Sequence, residues 1–268
     1  MRPYPTTAIF NRSARLLGDT TMQRLAHAHV MIFGLGGVGS WCAESLARTG
    51  VGHLTLVDSD RVCVTNINRQ IQATCTTVGQ VKVEALKDRI LEINPHAHVE
   101  ARQCIYSAET QASFDLDGAD AVVDAIDSLQ SKILLLHLAS RSQAAVFCSL
   151  GAALKLDPTR IRVDAFMQVT GCTLGAKLRK QMRRQDMLPA SPILTVYSDE
   201  ALDNLGGDTP CGSTACLCPH ATDGPGDPGL LNHEWCSRKA IINGSLAHIT
   251  GIFGLTLAGL VIRHLHRH

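Results

Sequence analysis

Residues 34–39 read GLGGVG and constrain the fold of this chain more than any other segment. An apolar, strand-like run, HVMIFGLG, leads into them, and a helical pattern, SWCAESLARTG, follows and is predicted to end at Gly50. Gly34, Gly36 and Gly39, with Gly37 between them, fit a G-x-G-x-x-G fingerprint in the strand–turn–helix setting that this fingerprint requires. Such glycines let backbone N–H groups approach a phosphate closely at a helix N-terminus. The segment therefore predicts a nucleotide site.

Strand-like and helical patterns alternate after this segment. The predicted strands cover residues 53–60, 98–106, 119–127, 144–153 and 161–166, and the predicted helices cover residues 82–93, 129–139 and 177–185. This order predicts an α/β fold of the Rossmann-like, doubly wound type, with a mostly parallel sheet and helices on both faces. We expect a single domain over residues 1–268. Its nucleotide-binding core is predicted at 30–152, and its C-terminal, substrate-side extension at 153–268, with a flexible loop around 203–233.

The bulk properties are those of an ordinary globular chain. It has 268 residues, 45% of them hydrophobic and 18% charged, which argues against disorder over the whole length. The net charge of +1 gives no general attraction to a polyanion, so RNA would have to be bound by a local basic patch. The N-terminus lacks the apolar run of a secretory signal, and the apolar tail at 249–262 is shorter than the ~20 residues of a membrane-spanning helix. We expect a cytoplasmic protein with no integral membrane span, although the tail leaves peripheral membrane association open.

Polar residues beyond the second and third strands favour ATP over NAD as the nucleotide. Asp58 lies nineteen residues after Gly39 at a strand end, where a carboxylate can accept hydrogen bonds from ribose, and Asp60 follows it. Cleavage of ATP needs cations near the phosphates and a carboxylate for Mg²⁺, whereas hydride transfer needs neither. The residues that suit these needs are Asn66, Arg69, Gln70, Lys82 and Asp127.

These motifs resemble those of a known superfamily. The series GLGGVG, VDSD, TNINRQ, Lys82 and DAID is similar to that of the ubiquitin-activating-enzyme-like proteins, which include the ThiF and MoeB adenylyltransferases. Within that superfamily the chain most resembles the tRNA threonylcarbamoyladenosine dehydratase branch, through residues 36–50, 62–71, 93–95, 124–128 and 157–163. The resemblance extends from about Arg12 to the C-terminus and is weakest over residues 203–233.

The resemblance implies roles for individual residues. Asp58 would bind ribose, Asn66 and Arg69 would contact the ATP phosphates with Gln70 beside them, and Asp127 would bind Mg²⁺. Lys82 would correspond to the superfamily's lysine at the start of the following helix. A further arginine would reach the phosphates from the other subunit of a homodimer; Arg12 fits this role best, and Arg15 is the alternative.

The resemblance also implies an activity. The dehydratase branch uses ATP to activate the threonyl carboxylate of N6-threonylcarbamoyladenosine in tRNA, after which the carbamoyl group closes a ring with loss of water. Whether the activated species is an acyl-adenylate or an acyl-phosphate stays open. The main alternative is an adenylyltransferase that activates the C-terminus of a ubiquitin-like sulfur carrier. Two further alternatives are a sulfur-relay or scaffold protein that keeps the nucleotide fold to bind a partner, and an NAD oxidoreductase. A sulfur-relay protein is also expected as a partner of the dehydratase.

A basic run is the predicted contact with tRNA. Residues 177–184 read KLRKQMRR, and helical spacing places Lys177, Lys180 and Arg184 on one face, with Arg179 and Arg183 at spacing i, i+4. No acidic residue interrupts this run, and Lys155, Arg160 and Arg162 lie nearby in the sequence. A solvated helix face is the alternative.

Zinc-capable residues cluster late in the chain. Cys211, Cys216, Cys218 and His220 do not form paired C-x-x-C motifs, so they are a weak indication of a metal site. Cys236, which falls where the dehydratase branch has a cysteine, is a candidate substrate-side residue or thioester nucleophile, with a structural role as the alternative.

Overall fold

The computed structural model describes residues 4–207 and 243–267. The strands of this part of the chain form one seven-stranded sheet in the order β3-β2-β1-β4-β5-β7-β6. They are β1 (His29–Phe33), β2 (His53–Val57), β3 (His98–Arg102), β4 (Ala121–Asp124), β5 (Ala145–Ser149), β6 (Ile161–Ala165) and β7 (Leu194–Ser198). All neighbouring pairs are parallel except β6 with β7, which is antiparallel. The mostly parallel, doubly wound sheet predicted from the sequence is confirmed.

The helices follow the predicted order closely. They are α1 (Thr6–Ile9), α2 (Asn11–Leu17), α3 (Asp19–His27), α4 (Gly39–Thr49), α5 (Lys82–Ile93), α6 (Leu129–Ala139), α7 (Thr173–Arg184) and α8 (Ala247–Arg267). The predicted bounds of α5 and α6 are confirmed, and α4 ends where Gly50 adopts the left-handed conformation at φ 105°. The sequence analysis missed β7, whose apolar residues lie between a proline and two acids rather than in an alternating pattern.

The strand order creates the edge on which a ligand can bind. β1 pairs with β2 on one side and with β4 on the other, so the strand order reverses at β1: the chain passes from β1 to β2 and β3 on one side, and then returns from β3 to β4 on the other. In open α/β sheets, ligands bind at such a switch point, at the carboxyl ends of the strands. The glycine segment follows β1 at this edge, Asp58 follows β2, and residues 125–127 follow β4. Chain topology therefore brings together residues that lie far apart in the sequence.

Two hydrophobic layers cover the sheet. One layer contains buried residues of α4, α5 and α8, such as Leu46, Leu86 and Phe253. The other contains buried residues of α6 and α7, such as Leu136 and Leu178, and the edge-on aromatic contacts of Phe33. Helices therefore lie on both faces, as predicted.

The C-terminal helix α8 is part of this core. By length and composition it is the one helix of the described residues that could cross a membrane, but 56% of its most apolar window is buried inside the protein. It packs so closely on α4 that a Cβ at Gly254 would lie 2.4 Å from the carbonyl oxygen of Val38. This burial is what a core helix shows.

Candidate active site

The glycine segment is shaped by two different steric constraints. Gly34 has a φ of 87°, and a Cβ there would lie 2.6 Å from the carbonyl oxygen of Ala125. A Cβ at Gly39 would lie 1.9 Å from the carbonyl oxygen of Gly34, so neither position accepts a side chain without a backbone shift. Gly36, in contrast, has no neighbouring atom within 4 Å of its Cβ position. The turn is closed by Gly34 and Gly39, and the space beside Gly36 is left for a ligand.

Asp58 holds this turn from the neighbouring strand. Its Oδ2 accepts a hydrogen bond of 2.6 Å from the backbone N–H of Leu35, and its Oδ1 accepts one of 2.9 Å from the N–H of Asp60. Both carboxylate oxygens therefore orient backbone, and each keeps acceptor capacity for a further partner. The ribose role that the sequence assigns to Asp58 stays a prediction, and this geometry is compatible with it.

Lys82 lies at the same edge, at the first residue of α5. Only 5% of the residue is exposed, and its Nζ is 2.7 Å from Asp60 Oδ2 and 3.7 Å from Asp58 Oδ1. Burial alone would lower the pKa of Lys82, but the charges of Asp58 and Asp60 outweigh burial and raise it. The side chain is therefore a cation at neutral pH, held beside the glycine turn by two carboxylates.

In the segment between β2 and α5, the side chains of Asn66 and Arg69 make hydrogen bonds to the local backbone and to a neighbouring side chain. Asn66 is buried, and its Oδ1 accepts a hydrogen bond of 3.0 Å from the N–H of Cys63. Nη1 of Arg69 donates to the carbonyl of Thr65 at 2.8 Å and to Oδ1 of Asn68 at 2.9 Å. The amide oxygen of Asn66 thus has a local structural task, which the sequence analysis did not foresee.

Two neighbouring contacts fix this segment against the helices. The indole Nε1 of Trp41 on α4 donates to the carbonyl of Arg69 at 3.0 Å. Gln70 is buried, and its Oε1 accepts a hydrogen bond of 3.3 Å from Nε2 of Gln72, which also donates to the carbonyl of Leu35 at 2.9 Å. Side-chain hydrogen bonds therefore join this segment both to α4 and to the glycine turn.

Two aspartates stand at the end of β4, and their environments differ. Asp127 is exposed at the carboxyl edge, while Asp124 is fully buried and pairs with Lys132 of α6. The sequence analysis identified Asp127 but missed the Asp124–Lys132 pair. The available signal was a lysine within the otherwise apolar helix LQSKILLLHLA.

The N-terminal arginines lie outside this cluster of the single chain. Arg12 and Arg15 are exposed on α2, which packs on α3. Their predicted reach into the site of another subunit stays a prediction.

The basic run forms the amphipathic helix α7, which buries Leu178 and Met182. Its exposed cations are Lys177, Lys180, Arg183 and Arg184. Arg179 differs from them because it is half-buried and donates to the carbonyl of Phe166 at 3.1 Å.

The three basic residues that lie near this helix in the sequence, Lys155, Arg160 and Arg162, also have polar partners. Lys155 is buried and donates to the carbonyl of Glu200. Arg160 and Arg162 pair with Asp199 at 2.9 Å and 3.3 Å. Within the described part of the chain, the exposed cations of α7 make no ion pair, in contrast to Arg160 and Arg162.

The zinc-capable residues predicted late in the chain, Cys211, Cys216, Cys218 and His220, lie outside the described residues, as does Cys236. Within residues 4–207 and 243–267, no group of three or more His, Cys, Asp or Glu side chains is arranged to hold a metal ion.

Comparisons with known proteins agree with this geometry. The model of the ThiF family matches residues 10–268. A tRNA threonylcarbamoyladenosine dehydratase of Escherichia coli is 37% identical over 221 residues, which is 81% of each chain, and one of Haemophilus influenzae is 33% identical over 96% of this chain and 92% of its own. A crystal structure of the E. coli dehydratase TcdA in complex with ATP superposes with a TM-score of 0.77 at 31% identity, covering 97% of this chain and 94% of the other. The chain belongs to the ThiF family.

Proposed function

We propose that this protein is an ATP-dependent tRNA threonylcarbamoyladenosine dehydratase. The observation that carries the proposal is the buried Lys82–Asp58–Asp60 cluster against the glycine turn. A nucleotide site of this kind supplies a fixed cation where phosphate charge must be stabilised. The dehydratases of E. coli and H. influenzae, which match most of the chain, give the substrate class.

Different site residues would contact different parts of ATP. Phosphates would lie beside Gly36, where the backbone is open, with the ribose on Asp58. Lys82 would face the phosphates from its place beside Asp60, and Arg69 would add a second cation. Asp60 would hold Lys82 in that place, because a buried ammonium without a partner is costly.

Asp127 fits a magnesium ligand better than any other acid near the turn. Mg²⁺ in nucleotide sites is held by one or two carboxylates together with substrate phosphates. Asp127 is an exposed carboxylate at the carboxyl edge, whereas Asp124 already neutralises Lys132. When bound, Mg²⁺ would neutralise phosphate charge and orient the phosphates.

The chain's own cations would then assist activation of the threonyl carboxylate. A carboxylate oxygen attacks phosphorus of ATP and displaces pyrophosphate, when the α-phosphorus is attacked, or ADP, when the γ-phosphorus is attacked. The carbamoyl group then gives up a proton and attacks the carbonyl carbon, from which that oxygen leaves with the phosphorus group as AMP or phosphate. The ring closes, and the nucleoside has lost one water. Lys82 and Arg69 would stabilise charge on the phosphates during both steps.

Helix α7 would bind the tRNA. Lys177, Lys180, Arg183 and Arg184 would contact phosphates of the RNA backbone. We also propose that the protein is a cytoplasmic homodimer in which Arg12 or Arg15 completes the partner's ATP site. A sulfur-relay protein is a further proposed partner.

The test is a direct assay of the product. The protein is incubated with ATP, Mg²⁺ and tRNA carrying threonylcarbamoyladenosine, and the released nucleosides are analysed by mass spectrometry. We expect that nucleoside to lose one water, that Asp127→Ala abolishes the loss, and that Glu92→Ala, at an exposed acid at the opposite end of α5 from Lys82, does not. An unchanged nucleoside mass, or a product that forms equally well with Asp127→Ala, contradicts the proposal. An AMP adduct of a ubiquitin-like carrier protein would instead favour the adenylyltransferase.

A further inference from the structure

An ion pair is buried directly behind the candidate ATP site. Asp124 at the end of β4 and Lys132 on α6 are 0% and 1% exposed, and Nζ of Lys132 lies 2.7 Å from Oδ2 of Asp124. Burial alone would lower the pKa of Lys132, but the Asp124 charge reverses this and raises it. Burial raises the pKa of Asp124 and the charge of Lys132 opposes that rise, while the 2.7 Å contact between the two groups is that of an ion pair.

The pair makes hydrogen bonds to both the backbone N–H and the carbonyl of Ile126, in the loop that follows β4. Nζ of Lys132 donates to the carbonyl of Ile126 at 3.0 Å, and Oδ1 of Asp124 accepts from the N–H of the same residue at 3.1 Å. Sγ of Cys148 on β5 donates to Oδ2 of Asp124 at 3.2 Å. Every polar backbone atom of Ile126 is thus bound to the pair, and Ile126 precedes Asp127.

The same loop supports the glycine turn. The Cβ position of Gly34 lies 2.6 Å from the carbonyl oxygen of Ala125 and 2.9 Å from the nitrogen of Ile126. The N–H of Ala125 donates to the carbonyl of Phe33 at 2.8 Å. A shift of residues 125–126 would therefore displace both Asp127 and the turn that we assign to the phosphates.

Stability alone does not explain a buried pair at this place. Desolvation offsets most of the attraction between two buried charges, and apolar side chains of similar volume are often equally stable. Two charged groups, however, can orient a backbone N–H and a carbonyl at once, which apolar side chains cannot do.

We propose that Lys132 is a positioning residue, whose ion pair with Asp124 fixes Ile126 and so aims Asp127 at the nucleotide. The inference deepens the proposed function, since it assumes that Asp127 serves the ATP reaction. It assigns no contact between Lys132 and the substrate.

The test removes both charges together and follows the loop itself. In Asp124→Asn/Lys132→Met no uncompensated charge is left in the core, and we expect amide hydrogen exchange of residues 125–127 to accelerate at least tenfold. We expect the Mg²⁺ concentration for half-maximal ATP turnover to rise at least fivefold. Ile133→Ala is the matched control, because it creates a cavity in the same buried helix, and residues i and i+1 of a helix do not face each other; it should lower Tm and leave both readouts unchanged.

Two further measurements keep the inference testable if the double variant does not fold. In the wild-type protein the Ile126 amide, although in a loop, should exchange as slowly as the amides of β4. Lys132→Arg, which keeps the charge, should retain the wild-type Mg²⁺ dependence. Rapid exchange of Ile126 in the wild type, or unchanged exchange in a folded double variant, overturns the inference. The exchange experiment needs no tRNA, so failure to dehydrate the substrate would overturn the proposed function separately.

Discussion

The carboxyl edge of the sheet and helix α7 both carry positive charge, but the lysine at the edge is buried, whereas the cations of α7 are exposed. At the edge, Lys82 is 5% exposed and has carboxylate oxygens at 2.7 Å and 3.7 Å. On α7, Lys177, Lys180 and Arg184 are exposed side chains on a solvated face. A buried cation has a fixed position and suits chemistry at one atom, whereas exposed cations act together through a salt-screened field. Substitutions at the edge should therefore have large, local effects, and those on α7 smaller, additive and salt-dependent ones.

The largest effect is expected within the glycine turn. Gly39→Ala should abolish ATP binding and lower Tm by about 10 °C or more, because its Cβ would lie 1.9 Å from the carbonyl oxygen of Gly34. Gly36→Ala, which meets no atom within 4 Å, should keep the wild-type Tm and lower only ATP affinity. Thermal unfolding and ATP titration measure the two quantities. Equal losses of Tm in the two variants would show that the turn is not closed at Gly39.

The next largest effect is expected at Lys82. Lys82→Met removes the ammonium that lies 2.7 Å from Asp60 and 3.7 Å from Asp58, and should reduce ATP turnover by about 10²- to 10³-fold. It should also destabilise the fold by about 3 kcal/mol. Lys82→Met combined with Asp60→Asn should recover much of the stability and none of the turnover. Recovery of turnover in the double variant would mean that Lys82 serves only to neutralise the two acids.

On α7 the expected effect is intermediate and depends on salt. Charge reversal at Lys177, Lys180 and Arg184 should weaken tRNA binding about 10- to 100-fold near 0.1 M salt and reduce the salt slope of the affinity by about 2–3. Turnover of ATP without tRNA should not change. Arg179→Gln is the internal control, because Arg179 donates to the carbonyl of Phe166 and should contribute about 1 kcal/mol of stability instead. A salt slope that is the same for the reversed and wild-type proteins would remove α7 from the RNA-binding surface.

The two regions also differ in how far the sequence predicts them. At the edge, the glycine spacing and the order of Asp58, Lys82 and Asp127 indicate both the fold and the site. Asp58 and Asp127 follow strand ends, Lys82 begins the helix between β2 and β3, and the β-α alternation sets the topology of these elements. The local tasks of Asn66 and the pairing of Asp124 with Lys132 were not predicted, since such contacts depend on side-chain placement across distant segments. On α7 the spacing predicts the helix and its basic face. It does not show that Arg179 turns inward to a backbone carbonyl.

The smallest effect is expected at Asp199, whose carboxylate pairs with two basic residues. Asp199 pairs with Arg160 and Arg162, whose side chains are 45% and 55% exposed. Asp199→Asn should free both guanidinium groups and strengthen tRNA binding about two- to threefold at low salt, with the gain lost at high salt.

Mild acid should not mimic this substitution. The hydrogen bond from Arg160 lowers the pKa of Asp199 below its ordinary value, so the carboxylate is neutralised only below about pH 4, and the pairing that it supports is lost only there. Filter binding of tRNA at two salt concentrations, each at pH 5 and pH 7, measures both points. If Asp199→Asn binds tRNA no better than the wild type at low salt, Arg160 and Arg162 lie outside the RNA-binding surface, and that surface is confined to α7.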